Sequence, residues 1–184
     1  MTSPPTSHPL SWLDALLFSP RAVFAVLFSA SVAILGTALA SQYWGGLAPC
    51  VLCIAQRYPY AIVIGLGGVG FGLARQARVA PTIFTVLAGL AALVLFVNAG
   101  IAVYHVGVEQ QWWAGSAGCT GATGAATVEA MRAQILSAPI VRCDEVAWSL
   151  FGISMAGYNV VASAGLGAFT AAAAFRLMNP IVRA

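Results

Sequence analysis

The sequence predicts an all-α membrane protein. Four transmembrane helices form one bundle, joined by two loops on the side away from the termini, and the second loop carries a short amphipathic helix. Three observations carry this reading. Of 184 residues, 60% are hydrophobic and only 7% charged, where a soluble domain has about 25% charged; the mean hydropathy is +0.89. Four apolar runs cover about 22–43, 54–74, 82–103 and 146–175, each long enough for the ~20 residues of a membrane span. The charges collect between these runs, and the chain reads as one domain over 1–184. The net charge of +3 comes from arginines scattered singly, which make no basic patch and exclude nucleic acid as a partner.

From Met1 to Ser19 the chain starts polar, then shows a short apolar stripe of Leu10, Trp12, Leu13, Leu16 and Leu17 around Asp14. It reads as a surface-lying or loosely ordered segment that Pro20 ends. Arg21 opens the first run, which is uncharged to Tyr43. A signal peptide with Ala38-Leu39-Ala40 as its cleavage site is the rival reading. The run exceeds the 7–15 residues of such a core, so it is expected to stay as a span. Arg75 and Arg78 lie in the tight junction before the third run. Cytoplasmic segments are enriched in arginine and lysine. Arg21, Arg75, Arg78, Arg176 and Arg183, with Asp14, fall on one side; Arg57, Arg132 and Arg142 fall on the other with Glu109, Glu129, Asp144 and Glu145. Both termini are therefore expected in the cytoplasm, and the loops at about 44–53 and 104–145 outside.

That topology places all four cysteines on one, non-cytoplasmic side, where disulfides persist. Cys50 and Cys53 form a Cys-x-x-Cys after Pro49 at a helix start, where free amides and the helix dipole favour a thiolate, the nucleophile of disulfide exchange. Redox chemistry is the leading reading; a structural disulfide or half a zinc site are the alternatives. No second Cys-x-x-Cys or paired histidines complete a zinc set, so no metal is expected, and Ile54 in place of histidine excludes c-type haem attachment. Cys119 and Cys143 lie in a loop of about 40 residues, a length that is usually functional or mobile. The stretch Gly115 to Gly124 is flexible and is expected to expose the Cys119 sulfur to another protein. Val128, Met131, Ile135 and Leu136 recur at helical spacing and predict an amphipathic helix ended near Pro139. A helix lying on the bilayer would bring Cys143 toward the first pair; otherwise a Cys119–Cys143 staple merely closes the loop. Four cysteines allow three pairings, and the sequence does not choose.

Arg57, four residues after Cys53, reads either as a snorkelling charge or as a cation beside an electron acceptor. His105, at the outer end of the third run, reads as an interfacial histidine or a second polar group for the same acceptor. Tyr43, Trp44, Trp112, Trp113 and Trp148 fit an aromatic belt. Gly65-Leu66-Gly67-Gly68-Val69-Gly70 matches a dinucleotide fingerprint but lacks the strand and acid it needs. Close helix packing through small residues, Gly68 with Gly72 and also Gly165 and Gly167, is expected instead.

Three segments together resemble one family: Pro49-Cys-Val-Leu-Cys-Ile-Ala-Gln-Arg57; Tyr104-His105 with Glu109-Gln-Gln-Trp-Trp113; and Cys143-Asp-Glu-Val-Ala-Trp-Ser-Leu-Phe-Gly-Ile-Ser-Met-Ala-Gly-Tyr-Asn159. In order and spacing, over roughly Tyr43 to Asn159, they are similar to the disulfide bond formation protein B family (DsbB). The resemblance implies a four-helix oxidase of the bacterial inner membrane that re-oxidises a periplasmic DsbA-like thiol oxidase and passes electrons to the quinone pool, ubiquinone or menaquinone. By position, Cys119 would meet the partner, Cys143 would link to Cys50, Cys53 would face the quinone, and Arg57 with His105 would bind it. In bacteria, DsbA, DsbB and quinone together keep the periplasm oxidising. A vitamin K epoxide reductase-like protein is the nearest rival, but there the Cys-x-x-Cys belongs to a late helix. A membrane scaffold with structural disulfides is the rival from another class.

Overall fold

The computed structural model describes residues 19–76, 78–116, 119, 127–137 and 141–178, with the backbone alone at 134 and 135. The N-terminal stripe, the glycine-rich positions 117–118 and 120–126, Pro139 and the tail with Arg183 lie outside the described residues. Four helical segments are long and apolar enough to cross a membrane, and the fold is the expected four-helix membrane bundle. Its surface is correspondingly apolar: Phe28, Ile62, Val86, Leu93, Val161 and Phe175 are all exposed on the helix flanks.

Helix α1 spans Pro20–Tyr43. Pro20 begins the helix: proline needs no amide donor in a first turn, and Ser19 caps it by accepting from the Ala22 amide. Helices α2 (Val51–Ala55) and α3 (Arg57–Leu73) make the second span, interrupted at Gln56. Pro59 has no amide hydrogen to give the Ala55 carbonyl, which accounts for the break. Helix α4 runs Pro81–Glu109, six residues past its expected end. At 1.5 Å per residue it is about 43 Å long, more than a ~30 Å hydrocarbon core. His105 and Glu109, assigned above to the loop, thus stand on its last turns. Helix α5, Val128–Ser137, lies where the apolar spacing put it.

The fourth span needs correction. Residues 146–154 are not helical: β1 (Ser149–Leu150) pairs antiparallel with β2 (Ile153–Ser154), and helix α6 follows as Met155–Met178. The hairpin turns through Phe151 and Gly152, both at positive φ, as a two-residue turn with the strands' own twist requires. The apolar run hid this turn.

Helix α4 packs most extensively on α6, α1 on α3, and α3 on α4. The core lies between them, with Phe24, Leu27, Val63, Ala91 and Leu95 fully buried. Small residues do allow close approach, though of the four glycines expected only Gly167 is tightly packed. A Cβ on Gly67 would lie 3.0 Å from the Phe28 amide nitrogen, and one on Gly70 would enter the Phe24 ring. Gly68 faces only the Phe28 ring at 3.7 Å, and Gly72 and Gly165 meet nothing within 4 Å, while Gly167 does pack on Phe96. Gly67→Ala should therefore cost about 1–3 kcal/mol by overpacking, whereas Gly72→Ala should stay within about 0.5 kcal/mol. Thermal unfolding in detergent separates the two.

At the α1 N-terminus, Arg21 donates from Nε to the Ala74 carbonyl (2.8 Å), and the Arg75 guanidinium sits over the Phe71 ring. Arg21, Arg75 and Arg176 stand at the end of the bundle opposite the cysteines.

Candidate active site

The site is assembled at the other end. Cys50 caps α2, and its Sγ accepts from the Cys53 amide at 3.3 Å. Cys53 lies in the first turn of this helix, not in the loop, and only half-buried, while Cys50 is buried. The Cys50 thiol donates to Cys53 Sγ at 3.0 Å. That hydrogen bond, then burial, pushes Cys50 up to about 12. At pH 8 its thiolate fraction is on the order of 10⁻⁴. In the fully reduced protein, iodoacetamide at pH 8 should therefore modify Cys53 well before Cys50, with Cys50 reacting only as pH climbs toward 12. Peptide mass mapping reads this, and equal rates at the two would contradict it.

The second pair closes over the first. Cys143 donates its amide to the Cys119 carbonyl at 3.0 Å. Burial, above all, holds the Cys143 thiol well above its ordinary range. Cys50, Cys119 and Cys143 form one buried cluster on Val108, with Leu52, Cys53 and Val141 around it. Cys119 was expected to expose its sulfur; it is 0% exposed. Cys119 packs in one cluster with Val108 at the end of α4.

Of its two readings, His105 does not meet the interfacial one. It is buried, not interfacial, at 3% exposure. Its Nε2 lies 3.5 Å from Cys50 Sγ and 3.8 Å from Glu109 Oε1, one turn on. Its Nδ1 meets Gln56 Nε2 at 3.0 Å. The amide chain continues inward. Asn159 donates to Gln56 Oε1 (2.6 Å), Tyr60 donates to Asn159 Oδ1 (2.5 Å), and Ser163 joins Tyr60 to Asn98. With Gln56 donating to Nδ1, the ring hydrogen belongs on Nε2 and points at the sulfur. Ser154 donates to Glu109 Oε2 (2.5 Å), fixing the carboxylate and tying the hairpin to α4. Gln56, Glu109, Asn159, Tyr60, Ser163 and Asn98 were given no role from sequence. The available signal was a polar side chain inside an apolar span, which is costly unless paired or functional.

Arg57 donates to Gln42 Oε1 (2.6 Å) and reaches the Ala38 carbonyl (3.5 Å), so it is tied to α1 and does not snorkel freely. It lines a cavity of about 470 Å³ between α1, α3, the hairpin and α6, within the ~300–1,000 Å³ of small-molecule sites. One wall is apolar (Ile34, Leu35, Leu47, Ala156); the other presents Cys53, Gln56, Arg57, His105 and Asn159. Among the described residues, Cys50, Cys53 and His105 also place their donor atoms within 4.8 Å of one another.

Two cysteine pairs meeting at one end of a four-helix membrane bundle, beside an apolar cavity with a cation and an imidazole, define a membrane thiol–disulfide protein. The comparisons narrow this. The family model described as disulfide bond formation protein DsbB matches residues 20–173, and the chain belongs to that family. A disulfide bond formation protein B of Verminephrobacter eiseniae is 34% identical over 161 residues, covering 85% of each chain. One of Stutzerimonas stutzeri is 29% identical over 160 residues, covering 82% of this chain and 91% of its own. No solved structure gives a significant match. The chain is thus a multi-pass membrane protein of disulfide bond formation, and the vitamin K epoxide reductase-like and scaffold readings give way.

Proposed function

We propose that this protein re-oxidises a periplasmic DsbA-like thiol oxidase and passes the two electrons to a membrane quinone, ubiquinone or menaquinone. The observation that carries the reading is the single buried cluster in which Cys143 packs with both Cys119 and Cys50. With both pairs oxidised, a partner thiolate attacks Cys119 and Cys143 leaves as thiolate. Cys143 attacks Cys50, and Cys53 leaves as thiolate toward the cavity. The partner's second thiol then releases Cys119, which attacks Cys143 and re-forms the outer disulfide. Cys50 is left as the second thiol of the inner pair. A quinone held beside Arg57 and His105 would supply the two-electron, two-proton acceptor that re-forming the Cys50–Cys53 bond requires. Arg57 stabilises negative charge in the cavity, and His105 holds a proton at Nε2 beside Cys50. Because Cys119 is buried, the loop must lift for a protein partner to reach it.

The arginine distribution supports cytoplasmic termini and periplasmic cysteine loops in the bacterial inner membrane, with lipid around the apolar flanks. An external acceptor is needed on energetic grounds. An ordinary Cys-x-x-Cys near −270 mV would be uphill by about 7 kcal/mol as oxidant of a partner near −120 mV. The test is a trap. In a Cys53→Ser/Cys119→Ser protein, a mild thiol oxidant should join Cys50 to Cys143, seen as a linked peptide without reductant. Sulfurs that stay unlinked would count against the relay.

A further inference from the structure

We propose that the reduced protein carries a binding site for a thiophilic divalent cation of the zinc class, formed by Cys50 Sγ, Cys53 Sγ and His105 Nε2. The site joins the Cys-x-x-Cys to a histidine 52 residues beyond it, and the three donor atoms lie within 4.8 Å of one another. Tetrahedral zinc with two sulfurs and a nitrogen requires S···N near about 3.5 Å and S···S near about 3.8 Å. Cys50 Sγ and His105 Nε2 stand at 3.5 Å. The sulfurs stand 3.0 Å apart, so metal binding requires half-buried Cys53 Sγ to move outward by about 0.8 Å.

Three further features suit a cation. The Cys53 amide already donates to Cys50 Sγ at 3.3 Å, stabilising thiolate charge at a Cys-x-x-Cys knuckle. The buried Glu109 carboxylate faces Nε2 at 3.8 Å, held from behind by Ser154. His105 has an outer partner in Gln56. With metal on Nε2 the ring hydrogen moves to Nδ1, and Gln56 meets it by turning its amide so that Oε1 accepts, Asn159 turning with it. Water completes the fourth position. Binding exchanges two thiol protons for one cation and changes no oxidation state. It is open only to the dithiol, since a disulfide offers no thiolates.

Binding itself is independent of the quinone reading; its consequence rests on that reading, because a metal-bound pair cannot pass electrons to the cavity. The experiment titrates Cd²⁺ into reduced Cys119→Ser/Cys143→Ser protein in detergent, without quinone or partner, and follows the ultraviolet thiolate-to-cadmium band. The expected result is saturation at one ion per chain, with no band from the same protein oxidised to the Cys50–Cys53 disulfide. Co²⁺ should give the visible bands of a tetrahedral thiolate–imidazole site, a readout that needs no histidine variant. His105→Gln in the same background should weaken Cd²⁺ by at least about tenfold, the low end even for loss of an outer partner. No band in the reduced protein, a non-tetrahedral cobalt spectrum, or unchanged affinity in folded His105→Gln protein would overturn the site. A chain that binds Cd²⁺ but reduces no quinone would keep the site and sink the redox reading.

Discussion

Cys53→Ser is expected to lower quinone-coupled turnover by three orders of magnitude or more, the scale seen when a reacting nucleophile is removed. A hydroxyl cannot close a disulfide with Cys50, so the chain loses the bond through which electrons leave the thiols. The defect should be confined to that step. Cys119 and Cys143 remain, and a single exchange with a reduced thiol partner should still proceed and stall with electrons on the outer pair. Gel mobility after alkylation of the partner reads this first exchange, and quinone absorbance reads the second. Full turnover by the variant would show that Cys53 is not the exit. Loss of even the first exchange would show that Cys53 supports the loop structure instead.

Asn159→Leu is the second large effect, and it arises far from the sulfurs in sequence. Asn159 holds Gln56 Oε1 at 2.6 Å and accepts from Tyr60 at 2.5 Å. Leucine of similar volume leaves Gln56 Oε1 without its donor, while Tyr60 keeps Ser163 at 2.8 Å. One unsatisfied buried acceptor costs about 1–3 kcal/mol, and each kcal/mol lowers the Tm by about 2–4 °C in a chain of this size. Gln56 then no longer fixes the His105 ring, and misplacement on the scale of 1 Å costs up to about 100-fold in rate. Thermal unfolding in detergent and turnover should therefore fall together. Ser163→Ala removes one 3.2 Å donor to Asn159 Oδ1 but leaves the Asn159–Gln56 and Gln56–His105 hydrogen bonds in place, and should lower stability with little effect on turnover.

The fold was legible because the signal is crude and strong: long uncharged runs, arginines at their ends, and amphipathic spacing over Val128 to Leu136. Its errors came where apolarity and helicity part company. Residues 146–154 are apolar but turn through Phe151 and Gly152, and the span continued past residue 103 because nothing before Glu109 ends it. The four cysteines and Arg57 were legible as chemistry, since few residue types do what they do. Their surroundings were not. Burial of Cys119 depends on how a long loop folds back, and the Gln56–Asn159–Tyr60 chain joins polar groups about 100 residues apart that look incidental in a sequence. Gly67 and Gly70, not Gly68 and Gly72, face α1 because helix rotation is set by packing, which a spacing motif does not encode.

The central claim is that electrons enter at Cys119–Cys143 and leave from Cys53 to a quinone in the adjoining cavity. The most direct measurement mixes the purified protein, freed of endogenous quinone, with a reduced DsbA-like thiol oxidase and added ubiquinone or menaquinone under anaerobic conditions. The account predicts one quinone reduced per partner disulfide formed, with catalytic amounts of this protein and no turnover in Cys53→Ser. Partner oxidation without quinone reduction, or quinone reduction that continues without Cys53, would contradict it.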